Sequence, residues 1–129
     1  MRHGHKNKIP NFGRDAAHRK AILRNLAESL IRYGEIETTL AKAKALRSFI
    51  ERLIVRAKKG DLASRRYVFR FIRQKDVFWK LMRLAPKYKR NSGFVSFVRV
   101  KYRKGDGAVI ARVRLISPEE DAENLEREA

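Results

Sequence analysis

The chain has 129 residues, 43% of them hydrophobic, and 32 Lys and Arg against 14 Asp and Glu give it a net charge of +18. That length suits a single domain with a modest core. The absence of cysteine excludes a disulfide framework and thiolate zinc sites, no run of about 18 apolar residues is available to span a membrane, and no apolar segment follows the first bases as in a secretory signal.

Residues 1–14, MRHGHKNKIPNFGR, carry Arg2, Lys6, Lys8 and Arg14 among Gly4, Pro10 and Gly13. They show no sustained period and read as an extended basic arm, disordered alone and ordered on a partner. Residues 15–33 read as a helix with Asp15 as N-cap and Gly34 just past its end. Ala16, Leu23, Leu26, Ala27 and Leu30 form its apolar stripe, while Arg14, His18, Asn25 and Arg32 fall on the opposite face. EIETTL at 35–40 reads as a strand. The stripe Ala43, Leu46, Ile50, Leu53, Ile54 and Ala57 predicts a helix over 42–58, ended by Gly60, with Val55 on the wrong face.

Asp61 is the expected N-cap of a helix over 62–74, with Val68, Phe71 and Ile72 inward and Arg66, Arg70 and Arg73 in an outer row. Asp76 is the expected cap of a fourth helix over 77–85. Its inward residues are Phe78, Leu81, Met82 and Ala85, its outer row Lys80, Arg83 and Lys87, and Pro86 helps to stop it. FVSFVRVKYR and AVIARVRLI, joined through KGDG, have the alternation of a β-hairpin. Val109, Ala111, Val113 and Leu115 should face the helices, and Arg112 and Arg114 should lie on a basic outer face. Arg99, Lys101 and Arg103 should share the face begun by Val95 and Phe97. In residues 117–129 SPEE offers a capping box with Pro at the first helical position, so this acidic tail is disordered or a short helix.

The charge is unevenly spread. Residues 1–116 hold 31 bases and 8 acids, a surplus of 23, and the tail holds six acids and one base. Such self-repulsion disfavours a compact monomer. A polyanion that releases counterions on binding relieves it.

Three chemistries compete for the basic and histidine-rich segments. His3, third from the amino terminus, can complete a square-planar nitrogen set for Cu(II) or Ni(II). Any chain with His in that position offers the same set, and no carboxylate supports it. His18 lies among arginines that disfavour its cation, the nearby Asp15 is better explained as a helix cap than as an orienting group for a base, and no nucleophile triad, phosphate loop or carboxylate pair appears. Hence no enzyme, metal or cofactor is expected. A basic outer row recurs on all four helices and on a strand face, and favours nucleic acid; RNA is preferred because no DNA-recognition motif is visible. Tyr67, Tyr88 and Tyr102 are either stacking residues or core edge. A membrane surface requires a broad apolar face, and these stripes are narrow.

MRH, AHRKAILRNLAESLI, IETTLAKAKALR, AKKGDLASRR and YRKGDGAVIARVRL, in this order across about residues 1–116, resemble the bacterial large-subunit ribosomal protein seventeen family. The resemblance implies an α+β fold of two layers, helix–strand–three helices–two strands with a small mixed three-stranded sheet, forming one rRNA-binding domain over 1–116. It implies binding of large-subunit ribosomal RNA near the polypeptide exit, support of subunit assembly, neighbouring large-subunit proteins as partners, and a cytoplasmic, bacterial-type ribosome as location. It implies no enzymatic activity and no small-molecule substrate. Matching positions able to contact RNA are Arg2, His3, His18, Arg19, Arg24, Asn25, Thr38, Thr39, Lys44, Arg47, Arg65, Arg66 and Arg103, beside Lys6, Lys8 and Arg14 of the arm. Gly105 and Asp106 match as turn residues. Ser92-Gly93-Phe94 departs from the family's usual Gly-Gly-Tyr, and the acidic tail lies outside the shared pattern. The competing class is a free-standing RNA-binding or RNA-chaperone protein.

Overall fold

The computed structural model describes residues 16–128. The basic arm, the Asp15 cap and the predicted contact residues Arg2, His3, Lys6, Lys8 and Arg14 lie outside the described residues. The elements follow the expected order: α1 (Ala16–Tyr33), β1 (Glu35–Thr39), α2 (Leu40–Lys59), α3 (Leu62–Phe71), α4 (Lys75–Leu84), a 3₁₀ turn (Ala85–Lys87), β2 (Val95–Tyr102), β3 (Val109–Leu115) and α5 (Pro118–Glu128).

Helix α2 organises the core. It buries Ala43, Ala45, Leu46, Phe49, Ile50, Leu53, Ile54 and Ala57, an apolar face broader than one stripe, because the sheet covers one side and α3 and α4 the other. Phe49, outside the predicted stripe, packs edge-on against Phe71 of α3 with ring centroids 5.3 Å apart. Each fully buried Leu or Ile of this helix stabilises the fold by about 1.5–3 kcal/mol. Gly60 ends the helix at φ +69°, a left-handed conformation that favours glycine at this position. The next residue starts α3: Asp61 Oδ1 accepts from the Ser64 amide at 2.8 Å, as expected of an N-cap. Helix α4 begins earlier than its sequence suggested. Gln74 occupies the N-cap position, and Asp76 sits inside the first turn, where a carboxylate still favours the helix dipole.

The strand order is β1-β3-β2. Both pairings are antiparallel, so the three-stranded sheet is not mixed as the resemblance implied. Ile36, Val113 and Phe97 stand opposite one another across the three strands, on the face that packs on the helices. A β-bulge between Arg99 and Lys101 breaks the alternation predicted for β2. Arg99 pairs with Ala111 on the helix side, but Lys101 pairs with Ile110 and turns to the outer face. There Glu37 meets Lys101 at 3.9 Å and Arg112 at 3.1 Å, and Arg114 meets Glu120 of α5 at 2.6 Å. The expected basic sheet face is therefore largely neutralised from within the chain.

Helix α5 opens with Ser117, whose Oγ accepts from the Glu120 amide at 3.1 Å, followed by Pro118 in the first turn. Its Asp121 is completely buried.

Candidate nucleic-acid interface

Amphipathic helices bury one stripe and leave the other side to solvent, so the cations of α1, α2 and α3 emerge on surfaces set by their spacing from the core residues. On α1, Leu23, Ala27, Leu30 and Ile31 are buried, and His18 and Asn25 are exposed on the other side. Ala16, placed on the apolar stripe by its spacing, is exposed, because the buried part of the helix begins only at Leu23, about two turns later. Arg19 and Arg24 are half-buried. Arg19 Nε is enclosed and meets no hydrogen-bond acceptor among the described residues, a costly state for a buried donor. Arg32, last of the predicted outer row, is committed: it pairs with Asp76 at 3.3 Å and donates to Gln74.

Thr38 and Thr39 are half-buried on β1. Thr39 sits at the N-cap position of α2, yet its side chain makes no capping hydrogen bond, which leaves its hydroxyl available. Lys44 and Arg47, three residues apart on α2, are both exposed. The Arg47 guanidinium lies 4.8 Å over the Phe97 ring of β2, an arrangement that fixes a flexible side chain without consuming its charge. Arg103 is differently placed. Its Nε donates to Asp106 Oδ1 at 3.1 Å, and its second nitrogen meets Asp106 Oδ2 at 2.5 Å. This bidentate pair raises the Arg103 pKa and holds the Asp106 carboxyl down to about 2. The guanidinium therefore serves the hairpin turn first.

Arg65 and Arg66 open a groove between α3 and α4, shared with Phe69, Arg70, Arg73, Phe78 and Trp79. Sequence reading missed its two exposed aromatics. The available signal was the one already visible at Val55, 41% exposed: an apolar side chain on the basic side of an amphipathic helix. The predicted contact residues thus form no single cluster. Those among the described residues lie on α1, at the end of β1 and the facing part of α2, along α3 and, for Arg103, at the hairpin turn. Of the three tyrosines weighed for stacking, Tyr88 is core, 3% exposed, and donates its hydroxyl to the Ile116 carbonyl; burial pushes its pKa above the ordinary value. Tyr67 is half-buried beneath Arg56, whose guanidinium lies 4.5 Å over its ring. Tyr102 is exposed. Phe94, at the departure from the family's Gly-Gly-Tyr, is fully buried against Tyr88, a place suited to an aromatic without a hydroxyl. Among the described residues no group of three or more His, Cys, Asp or Glu is placed to hold a metal ion, and the amino-terminal His3 set lies outside them. No helix of the described residues is long and apolar enough to cross a membrane.

Comparison with known proteins agrees with the five sequence blocks. A family model described as ribosomal protein L17 matches residues 22–116. The large ribosomal subunit protein bL17 of Helicobacter hepaticus is 46% identical over 118 residues, 90% of this chain and 100% of that protein. The bL17 proteins of Campylobacter concisus and Helicobacter pylori are 44% and 42% identical, covering 88% and 87% of this chain and 98% of each relative. With matches of this extent, the chain belongs to the ribosomal protein L17 family.

Proposed function

We propose that the chain is a structural constituent of the large subunit of a bacterial-type cytoplasmic ribosome, which binds ribosomal RNA and supports subunit assembly near the polypeptide exit. Membership in a ribosomal protein family makes it a structural protein rather than an enzyme. The observation that carries the RNA reading is the surplus of 23 positive charges over residues 1–116, distributed over several surfaces rather than gathered in one cleft. A rod-like duplex would meet one such surface; a folded RNA that surrounds the protein meets them all.

In this reading the arm, with Arg2, His3, Lys6, Lys8 and Arg14, continues the outer side of α1 between RNA segments. His18, Arg19, Arg24 and Asn25 extend that contact, and Thr38, Thr39, Lys44, Arg47, Arg65 and Arg66 meet further strands, with Arg103 reaching RNA only where its pair with Asp106 opens. Neighbouring large-subunit proteins complete the surroundings. Sedimentation tests the placement: the chain should travel with the large subunit at near-stoichiometric yield, and crosslinking of intact particles should join the α1 and α3 residues to ribosomal RNA. Recovery in free fractions, with crosslinks to scattered RNAs, would replace this reading with that of a free-standing RNA chaperone.

A further inference from the structure

We propose that the groove between α3 and α4 is a stacking cradle for a single unpaired RNA nucleotide, a proposal that rests on the RNA-binding reading above. Phe69 is 44% and Trp79 49% exposed, although both rings would gain from burial. They flank Phe78, which is buried, and each stands edge-on to it, with centroids 5.3 Å and 5.1 Å apart and interplanar angles of 83° and 78°. Edge-to-face packing on a core ring holds both exposed rings in fixed planes, so the cradle is formed before any ligand arrives.

The rim is cationic. Arg65 and Arg66 lie four and three residues before Phe69 on α3, the spacings that put side chains on one side of a helix; Arg70, and Arg73 just beyond the end of α3, complete the lining. None of these four arginines forms an ion pair among the described residues, and no carboxylate lines the groove. The acid nearest Trp79 along α4, Asp76, is turned to Arg32 at 3.3 Å. The groove, about 450 Å³ in volume, lies in the range of small-ligand sites. Flat apolar walls under unneutralised guanidiniums select a ligand that is both planar and anionic, and a nucleotide has a base for the rings and phosphates for the arginines. A paired base keeps its faces inside the helix, so the nucleotide is one from a loop, bulge or single strand. An acidic peptide would satisfy the arginines but leave the ring faces without a planar partner.

Trp79 is the chain's only tryptophan, so its emission reports the groove directly. The full chain is titrated with single-stranded oligoadenylate, with an RNA duplex of equal length and with an oligoglutamate peptide. Oligoadenylate should quench Trp79 as it saturates, while the duplex binds without comparable quenching and the peptide does neither. In Phe69→Leu, oligoadenylate affinity should fall about tenfold, as expected for loss of one stacked base, with duplex affinity retained. Arg73→Gln, an exposed substitution that leaves every ring in place, should lower the oligoadenylate salt slope by about 0.7. This second variant keeps the test decisive if Phe69→Leu misfolds. Quenching equal with the duplex, unchanged oligoadenylate affinity in folded Phe69→Leu, or an unchanged slope in Arg73→Gln overturns the cradle alone. Quenching by oligoglutamate that matches oligoadenylate replaces the nucleotide with an acidic peptide. Failure of both RNAs to bind overturns the RNA reading itself.

Discussion

Asp121, completely buried on α5, accepts a hydrogen bond from Arg90 Nε at 2.5 Å. Its second oxygen accepts the backbone amides of Lys89 and Arg90 at 2.8 and 3.2 Å. One carboxylate thus anchors the first turn of the acidic helix to the segment between the 3₁₀ turn and β2. Asp121→Asn removes the charge from a site whose partners stay in place. It should destabilise the chain by about 2–3 kcal/mol, a fall in thermal midpoint of about 10 °C. Glu120→Gln, which breaks the exposed pair with Arg114, should cost less than about 1 kcal/mol. Equal effects in thermal denaturation would show that the burial of Asp121 carries no special weight.

The same contacts set the response to acid. Burial alone would raise the Asp121 pKa, but the Arg90 guanidinium and the two amides outweigh it and lower the group below its ordinary value. Asp61 is lowered by its bond to Ser64, Glu120 by Arg114, and Asp106 by Arg103 to about 2. A carboxylate with a depressed folded-state pKa binds fewer protons than its unfolded counterpart, so its stabilisation is complete above the unfolded value and drains as pH falls through the folded one. The urea midpoint should therefore stay level from about pH 7 to about pH 5 and fall between about pH 4 and pH 2. Asp121→Asn should start lower and lose less over that range. A wild-type midpoint that stays flat down to about pH 2 would contradict this assignment of the carboxylates.

The order of elements was legible in the sequence because each boundary carries local chemistry: Gly34, Asp61 with Gly60, and KGDG between alternating runs. Asp121 and Glu51 were not legible. Their partners lie 31 and more than 40 residues away, and an acid on a helix reads as solvated until the fold brings a backbone to it. The bulge at Arg99/Lys101 escaped for a related reason: one extra residue in β2 leaves composition untouched while it reverses the side on which Lys101 emerges. The basic rows of α1 and α3 were readable as rows. Which cations are already committed, as Arg32 is to Asp76 and Arg103 to Asp106, depends on tertiary placement or turn closure.

Glu51 secures the start of the hairpin. From α2 its two oxygens accept the amides of Gly93 at 2.7 Å, Phe94 at 2.6 Å and Val95 at 3.1 Å. Glu51→Ala leaves them without that acceptor and should cost about 2–3 kcal/mol. Glu51→Gln keeps an acceptor oxygen and should recover part of the loss. Amide hydrogen exchange locates the effect: protection should drop first at residues 93–95 and Phe94 should lose its packing on Tyr88. A uniform loss of protection across α2 would point instead to disruption of the helix itself.

Salt dependence separates committed cations from available ones. Each phosphate neutralised by a Lys or Arg adds about 0.7–0.9 to the slope of log affinity against log salt, so removal of residues 1–14, with Arg2, Lys6, Lys8 and Arg14, should flatten the slope for ribosomal RNA by up to about 3. Arg103→Gln should change it little, because Asp106 already neutralises that guanidinium, and Arg112→Gln likewise, because Glu37 does so. The exposed Lys44 and Arg66 make no ion pair among the described residues, and each glutamine substitution there should lower the slope by nearly a full contact. The ranking matters more than the sum. If Arg103→Gln flattens the slope as much as Arg66→Gln, the turn pair opens when RNA binds, and Arg103 is a contact residue with an intramolecular stand-in for phosphate.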